Sequence, residues 1–133
     1  MAEFDELVQC ALAVQKRAYA PYSQFPVGAA LVDEAGAIHT GVNVENAAYP
    51  NGTCAETAAI AAMIASGGTM IRAIAVVGPG EALCTPCGSC RQRIREFADG
   101  NTKVVVGGSE GVRKVFSLSE LLPHSFGPEN LAG

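Results

Sequence analysis

The segment that most constrains this chain is a pair of thiols three positions apart, within residues 86–92, Pro-Cys-Gly-Ser-Cys-Arg-Gln. An amphipathic segment, 94–98, follows the pair. A helix that begins near Gly88 would therefore carry Cys87 and Cys90 on its first turn, pointing the same way. The positive end of a helix favours thiolates, which serve both as metal ligands and as redox nucleophiles. By itself the pair leaves metal binding, redox chemistry and coincidence open.

Composition limits the class of partner and the compartment. The chain has 133 residues, a net charge of −4, 49% hydrophobic and 17% charged residues. We expect one domain over residues 1–133, and the chain lacks the Lys/Arg runs of a nucleic-acid binder. No segment resembles a targeting peptide or a membrane span, which predicts a cytosolic protein. In that compartment the five cysteines are thiols or metal ligands rather than disulfides.

Hydrophobic periodicity predicts alternating helices and strands. A helix is expected over 4–19 and a hairpin of strands 27–33 and 37–43 follows. Thr53 is expected to cap a helix that ends at the glycines 67–68, and a third helix runs from Gly88 to near Gly100. The remaining strands are 71–78, 103–107 and 113–116, with a short helix from Ser119. This order predicts a layered α/β domain with strand 71–78 in its centre.

Cys54 occurs in the same context as the Cys87/Cys90 pair. Each of these thiols follows a loop and stands at the start of a predicted helix, and such helix starts cluster at one edge of an α/β sheet. Three protein ligands leave zinc a fourth position for water. Glu56, two residues after Cys54, can then reach that water as a general base, although alone it would be interpreted as a helix-capping acid.

Cys84 adds an alternative, because it lies three positions before Cys87. Together with Cys54, it could complete a closed four-thiolate zinc site, although the spacing does not match the bacterial ferredoxin run. The chain has enough apolar residues to build its core without a metal. We therefore predict that Cys84 packs without binding the metal, and that Cys10 is a small core or interface residue.

The segments Cys54-x-Glu56 and Pro86-Cys87-x-x-Cys90 resemble the signature of zinc-dependent nucleoside and base deaminases. Longer blocks extend the similarity in the right order: Pro-Tyr-Ser-x-Phe-x-Val-Gly-Ala-Ala-Leu (21–31), Gly-x-Asn-Val-Glu-Asn-Ala-Ala-Tyr (41–49), Cys-Gly-x-Cys-Arg-Gln (87–92) and Leu-Leu-Pro-x-x-Phe-Gly-Pro (121–128). Over nearly its whole length, the chain resembles the small cytidine deaminases that act on free nucleosides.

This resemblance implies a three-layer α/β/α fold with a central mixed sheet of about five strands. It implies hydrolytic deamination of cytidine and 2′-deoxycytidine to uridine and 2′-deoxyuridine with release of ammonia, a step of pyrimidine salvage. It also implies one Zn²⁺ per subunit and a cytoplasmic homotetramer whose sites are completed across subunits. Neither nucleic acid nor a membrane is an expected partner.

The resemblance also assigns roles to individual residues. Cys54, Cys87 and Cys90 correspond to the zinc ligands. Glu56 corresponds to the acid that moves the proton of the attacking water to N3 of cytosine and then assists the departure of ammonia. The substrate-binding positions are Phe25 beside the pyrimidine, Asn43 and Glu45 on the ribose, the Ala55 N–H on O2 of the base, and Phe126 reaching a neighbouring subunit's site.

One position departs from the family pattern. Three-thiolate members often carry Arg directly after the catalytic Glu, and here Thr57 occupies that place. Three thiolates leave a net negative zinc site, which an Arg bonded to a ligand thiolate would offset. Our hypothesis from the sequence gives this task to Arg91, with the helix dipoles. His39 and His124 receive no role.

Three rival functions remain open on the sequence alone. The first is deamination of another aminopyrimidine nucleoside, by the same chemistry. The second is polynucleotide editing, which requires a basic groove that a chain of net charge −4 lacks. The third is a non-enzymatic, zinc-stabilised interaction domain, which would not depend on Glu56.

Overall fold

The computed structural model describes residues 2–132 and is built on a sheet of five strands. The strands are β1 (Gly28–Asp33), β2 (Ile38–Val42), β3 (Ile71–Val77), β4 (Lys103–Gly108) and β5 (Gly111–Ser117). Their order is β2-β1-β3-β4-β5, with β3 and β4 parallel and all other neighbours antiparallel. The predicted mixed sheet is confirmed, with β3 in its centre.

Helices cover both faces of this sheet. They are α1 (Ala2–Gln15), α2 (Ala55–Ala65), α3 (Gly88–Glu96) and α4 (Leu118–Leu121). Successive strand residues point to opposite faces, so β1 serves two cores. Ala30 packs with the α1 residues Leu7 and Val8, whereas Leu31 packs with residues of α2, α3 and α4. The three-layer α/β/α architecture is therefore confirmed.

Helix α1 ends at Gln15, four residues earlier than predicted. The apolar stripe continues to Tyr19, but the backbone there pairs with a distant loop instead. The N–H of Tyr19 donates to the carbonyl of Asn43 at 3.0 Å, and the N–H of Glu45 donates to the carbonyl of Tyr19 at 2.8 Å. Tertiary pairing thus replaces the last turn that periodicity predicted.

The predicted cap of α2 is wrong by one residue. Cys54 is the N-cap, while Thr53 exchanges two backbone hydrogen bonds with Val44, each 2.9 Å long. This bridge joins the loop after β2 to the start of α2, next to Cys54. Helix α3 also ends earlier than predicted, at Glu96, because the carbonyl of Phe97 accepts a 2.8 Å bond from Ile71 at the start of β3.

Helix α2 lies very close to β2, because Gly41 presents no side chain to it. A Cβ at Gly41 would lie 2.4 Å from the backbone nitrogen of Ala59 and 2.5 Å from the carbonyl oxygen of Ala55. The helix start that carries Cys54 is therefore fixed against the sheet by direct backbone packing. Over residues 2–132, every helix is too short or too polar to cross a membrane.

Candidate metal centre

Three thiols converge where α2 and α3 begin. The sulfur atoms of Cys54, Cys87 and Cys90 all lie within 4.8 Å of one another. Cys54 and Cys87 are the N-caps of α2 and α3, and Cys90 is on the first turn of α3. The N–H of Cys90 donates to the sulfur of Cys87 at 3.5 Å. Two separate helix starts thus supply the three thiols that the sequence predicted would meet.

Burial and helix geometry act on these thiols in opposite directions. Burial, together with the nearby Glu56 carboxyl, raises the pKa of the Cys90 thiol to about 12. Burial also raises the pKa of Cys54. Burial also acts to raise the pKa of Cys87, at the N-terminus of α3. Hydrogen bonds from Cys90 and from the Ser89 N–H outweigh this effect, so the pKa of Cys87 is lowered. Metal binding at this site must therefore release protons from the buried thiols.

Glu56 is a carboxyl group held in the interior beside the thiols. It lies on the first turn of α2 and is only 5% exposed. Burial raises its pKa, while a hydrogen bond to its own backbone N–H and the charge of Arg93 act in the opposite direction. A buried carboxyl with a raised pKa is a candidate for general acid–base catalysis.

Two side chains approach the sulfur of Cys90. The Thr57 hydroxyl oxygen lies 3.7 Å from it, and Nη1 of Arg93 donates to it at 3.9 Å. Thr57 was among the residues predicted from the sequence, whereas Arg93 was not. The only available signal was its i, i+3 spacing from Cys90 on one helix.

Arg91 does not contact a thiol in the part of the chain that the structure describes, although the sequence predicted that it would. Its guanidinium donates to the carbonyls of Pro86 and Leu121 at 2.7 and 2.9 Å and to the Thr85 hydroxyl at 3.2 Å. Within residues 2–132, none of its hydrogen bonds goes to a thiol. Arg91 therefore ties the loop before Cys87 to α4.

Cys84 lies near the centre but outside the three-thiol group. Its sulfur packs where a Cβ of Gly78 would be, beside the ring of Phe25. Burial and the neighbouring Glu56 raise the pKa of the Cys84 thiol to about 11. This arrangement agrees with a packed thiol rather than with a fourth ligand.

The two residues assigned to ribose hold the loop that precedes β1. The Asn43 side chain accepts from the Val27 N–H and donates to the Phe25 carbonyl, each at 2.9 Å. The Glu45 carboxylate accepts from the N–H groups of Tyr22 and Ser23 at 2.9 and 3.1 Å, and from the Ser23 hydroxyl. The Ser23 bonds and the Tyr22 N–H lower the pKa of Glu45. Glu45, Tyr22 and Ser23 line a cleft of about 360 Å³.

The remaining predicted residues lie at the edges of the centre. Ala55 is the first residue of α2, so its N–H has no partner within the helix. The rings of Phe25 and Phe126 are 43% and 57% exposed. The Gln92 side chain of α3 donates to the Phe126 carbonyl at 2.8 Å, which fixes the tail segment on that helix.

The donor set of this centre fits zinc. Zinc accepts thiolate sulfur in a tetrahedral site, and three protein ligands leave one position open. Helix N-termini at Cys54 and Cys87 favour the thiolate form. The Cys54/Cys87/Cys90 cluster fits one zinc ion per subunit.

Comparison with known proteins identifies the family. The family model described as "Cytidine and deoxycytidylate deaminase zinc-binding region" matches residues 1–107, most of the chain. The chain belongs to this family. The resemblance inferred from the sequence is confirmed, and the matched region contains all three thiols, Glu56 and the loop with Asn43 and Glu45.

Members of the family match over nearly the whole chain. A cytidine deaminase of Sporosarcina psychrophila is 38% identical over 130 residues, which are 98% of this chain and 96% of that protein. The crystal structure of cytidine deaminase from Burkholderia pseudomallei has 43% identity and a TM-score of 0.84, covering 91% of this chain and 97% of that one. The cytidine deaminase structure from Mycobacterium tuberculosis has a TM-score of 0.81 at 35% identity, covering 94% and 98%.

Proposed function

We propose that this chain catalyses the zinc-dependent hydrolytic deamination of cytidine and 2′-deoxycytidine to uridine and 2′-deoxyuridine, with release of ammonia. The observation that carries the proposal is the buried Glu56 carboxyl beside three convergent thiols, in a chain of the deaminase family. The proposed zinc ligands are Cys54, Cys87 and Cys90.

Glu56 is the proposed catalytic residue. Cys54, Cys87 and Cys90 would hold the zinc ion, which would supply the Lewis acidity that lowers the pKa of water and provides a nucleophile at neutral pH. The Glu56 carboxylate accepts a proton from the attacking water as the water oxygen bonds to C4, and it donates this proton to N3 of the base. It then transfers the second water proton to the amino group, which leaves C4 as ammonia. Its low exposure keeps bulk water from competing for these protons.

The hydrogen-bonding capacity left at the loop supports the proposed ribose site. A carboxylate offers about four acceptor positions, of which Glu45 uses three on Tyr22 and Ser23. The Asn43 amide retains one N–H and one lone pair. Both residues can therefore bind sugar hydroxyls without releasing the loop.

Base recognition is proposed to combine a backbone donor with aromatic contacts. The free N–H of Ala55 suits O2 of the pyrimidine, because it lies on the same helix turn as Glu56. The exposed Phe25 ring, beside Gly78, suits contact with the ring face. Phe126 is proposed to act in a neighbouring subunit's site, since its ring projects from the tail into solvent.

A cytoplasmic homotetramer is proposed as the working form. Tyr49 is 78% exposed and Phe126 57% exposed, and exposed aromatic rings at a site are typical of surfaces that another subunit covers. All five cysteines are free thiols, which agrees with a reducing compartment. Light scattering on the purified chain measures the subunit number directly.

Replacement of Glu56 by Gln tests the function. The substitution keeps the shape of the side chain but removes proton transfer, so we expect ammonia release from cytidine to fall at least about 10²–10⁴-fold. Zinc content, measured by elemental analysis, should stay at one ion per subunit. Glu6→Gln, an exposed change on α1, is the matched control and should retain full activity.

Two outcomes would refute this proposal. One is a folded, zinc-loaded wild type that releases no ammonia from either nucleoside. The other is a Glu56→Gln enzyme that turns over like the Glu6→Gln control. Activity on a different aminopyrimidine nucleoside alone would keep the chemistry but replace the substrate.

A further inference from the structure

Besides the other two thiols and the Glu56 carboxyl, the buried thiol Cys90 has two polar neighbours, which come from different helices. Thr57 of α2 places its hydroxyl oxygen 3.7 Å from the sulfur, and Arg93 of α3 places Nη1 at 3.9 Å. Cys90 itself is 0% exposed. A buried sulfur that becomes a thiolate requires hydrogen-bond donors or positive charge close by.

Helix geometry explains how Arg93 reaches the sulfur. Residues three positions apart lie on one face of a helix, so Arg93 stands one turn above Cys90. Its side chain is exposed, and the long aliphatic stem lets the guanidinium extend along the helix while remaining in contact with water. Arg93 and Thr57 also line one cleft between α2 and α3, together with Ile60 and Phe97.

The other arginines of α3 are engaged elsewhere. Arg91 donates to the Pro86 and Leu121 carbonyls and to Thr85. Arg95 donates to the Ser125 hydroxyl at 2.8 Å and pairs with Glu129. Among the arginines of the described chain, Arg93 alone has a hydrogen bond to a thiol of the centre.

We propose that Arg93, through its contact with the Cys90 sulfur, offsets the negative charge of the three-thiolate zinc site, with the Thr57 hydroxyl as a second donor. Zinc with three thiolates carries a net charge of about −1. A guanidinium 3.9 Å from the Cys90 sulfur reduces the electron density that this ligand gives to the metal and so offsets part of the negative charge. Arg93 is thus a positioning residue for the metal ligand, and this inference rests on the proposed zinc function.

Zinc retention measures this role without any substrate. The zinc-loaded wild type, Arg93→Gln and Arg93→Lys are mixed with a chromophoric chelator, and the rate of zinc loss is followed. Removing a partner of a metal ligand typically costs about 10–100-fold in metal affinity. Because Arg93 is exposed, we expect the low end of this range, with zinc loss from Arg93→Gln about 10-fold faster than from the wild type. Arg93→Lys keeps the charge and should lose zinc at a rate between those of the wild type and Arg93→Gln.

The matched control is Arg72→Gln, which removes the same charge from the start of β3. Arg72 is exposed and bonds the Glu34 carbonyl, at the other end of that strand from the loop that leads to the thiols. Cobalt substitution adds a spectroscopic signature, since the thiolate-to-metal charge-transfer band should shift in Arg93→Gln but not in Arg72→Gln. A thermal unfolding scan of each metal-free variant checks that the fold is kept.

A rescue variant tests whether charge at this sulfur is what matters. Thr57 approaches the same sulfur from α2, so Thr57→Arg in the Arg93→Gln background places a guanidinium there from the opposite helix. We expect this double variant to regain most of the zinc retention of the wild type.

The outcomes separate this inference from the proposed function. The inference is overturned if Arg93→Gln loses zinc at a rate within about twofold of that of Arg72→Gln. It is also overturned if the rescue variant folds but loses zinc as fast as Arg93→Gln. A wild type that binds no zinc overturns both proposals. A wild type that holds zinc but releases no ammonia overturns the deaminase function alone. The zinc-retention comparison then still tests the role of Arg93.

Discussion

Gly41→Ala should displace the metal centre through packing alone. A Cβ at this position would lie 2.4 Å from the nitrogen of Ala59, 2.5 Å from the carbonyl oxygen of Ala55 and 2.7 Å from the Cβ of Ala58. Ordinary contact begins near 3.4 Å, so α2 must retreat from β2 by about 1 Å. Two of these atoms belong to helix backbone, which cannot rotate out of the way as a side chain can.

The magnitude follows from where the clash occurs. Overpacking of this kind costs about 1–3 kcal/mol, which for a chain of 133 residues lowers Tm by about 4–11 °C. The effect on catalysis should be larger, because Ala55 lies between Cys54 and Glu56. A misplacement of about 1 Å at reacting groups can cost about 10²-fold in rate. We therefore expect a kcat loss that exceeds what the lost stability alone would produce.

The assay combines kcat and KM for cytidine, zinc content and thermal unfolding. Gly100→Ala is the control, because a Cβ there meets only Ser119, at an ordinary 3.5 Å, and it should resemble the wild type in all four measurements. A Gly41→Ala enzyme with wild-type kcat and one zinc per subunit would refute the conclusion that backbone contact between α2 and β2 places the catalytic residues.

Two further predictions concern residues away from the thiols. The Asp33 carboxylate pairs with His39 at 2.8 Å and accepts from two backbone N–H groups. These bonds, chiefly the one to His39, lower the pKa of Asp33 from its ordinary value. Its stabilising contribution should be complete at neutral pH and fade as the pH falls through the lowered pKa. The difference in urea-unfolding stability between the wild type and Asp33→Asn should therefore shrink as the pH falls below the ordinary titration range of an aspartate, and a difference independent of pH would contradict this. Arg91→Lys keeps the charge but cannot reproduce the bonds to Pro86 and Leu121, so it should lower the free energy of unfolding by about 2 kcal/mol. Zinc retention equal to that of the wild type is expected in this variant, and unchanged stability would show that these bonds contribute nothing.

Much of the architecture could be predicted from the sequence, because it depends on local pattern. The alternation of apolar segments with glycines and prolines located all five strands and the order of the helices. The Cys-x-x-Cys spacing after Pro86 correctly placed a helix start at Gly88, where the local signals for a helix N-terminus meet no competing partner for the Cys87 cap. The predicted helix bounds were wrong where a distant segment hydrogen-bonds the backbone N–H and carbonyl groups that a helix would use. Tyr19 and Thr53 both left their expected helix positions to pair with the loop around Val44.

The sequence by itself determined the chemistry of this protein. The residues Cys54, Glu56, Cys87 and Cys90, with the spacing between them, specify three thiols and one carboxyl at helix starts. Only the tertiary structure decided which groups surround these four. Packing of α2 against α3 brings the Thr57 hydroxyl to the sulfur of Cys90, and the carbonyls of Pro86 and Leu121 hold Arg91 away from that sulfur. Asn43 and Glu45 likewise gain their partners in residues 22–27 only after the sheet has formed, because no local pattern encodes a contact between segments separated by about twenty residues.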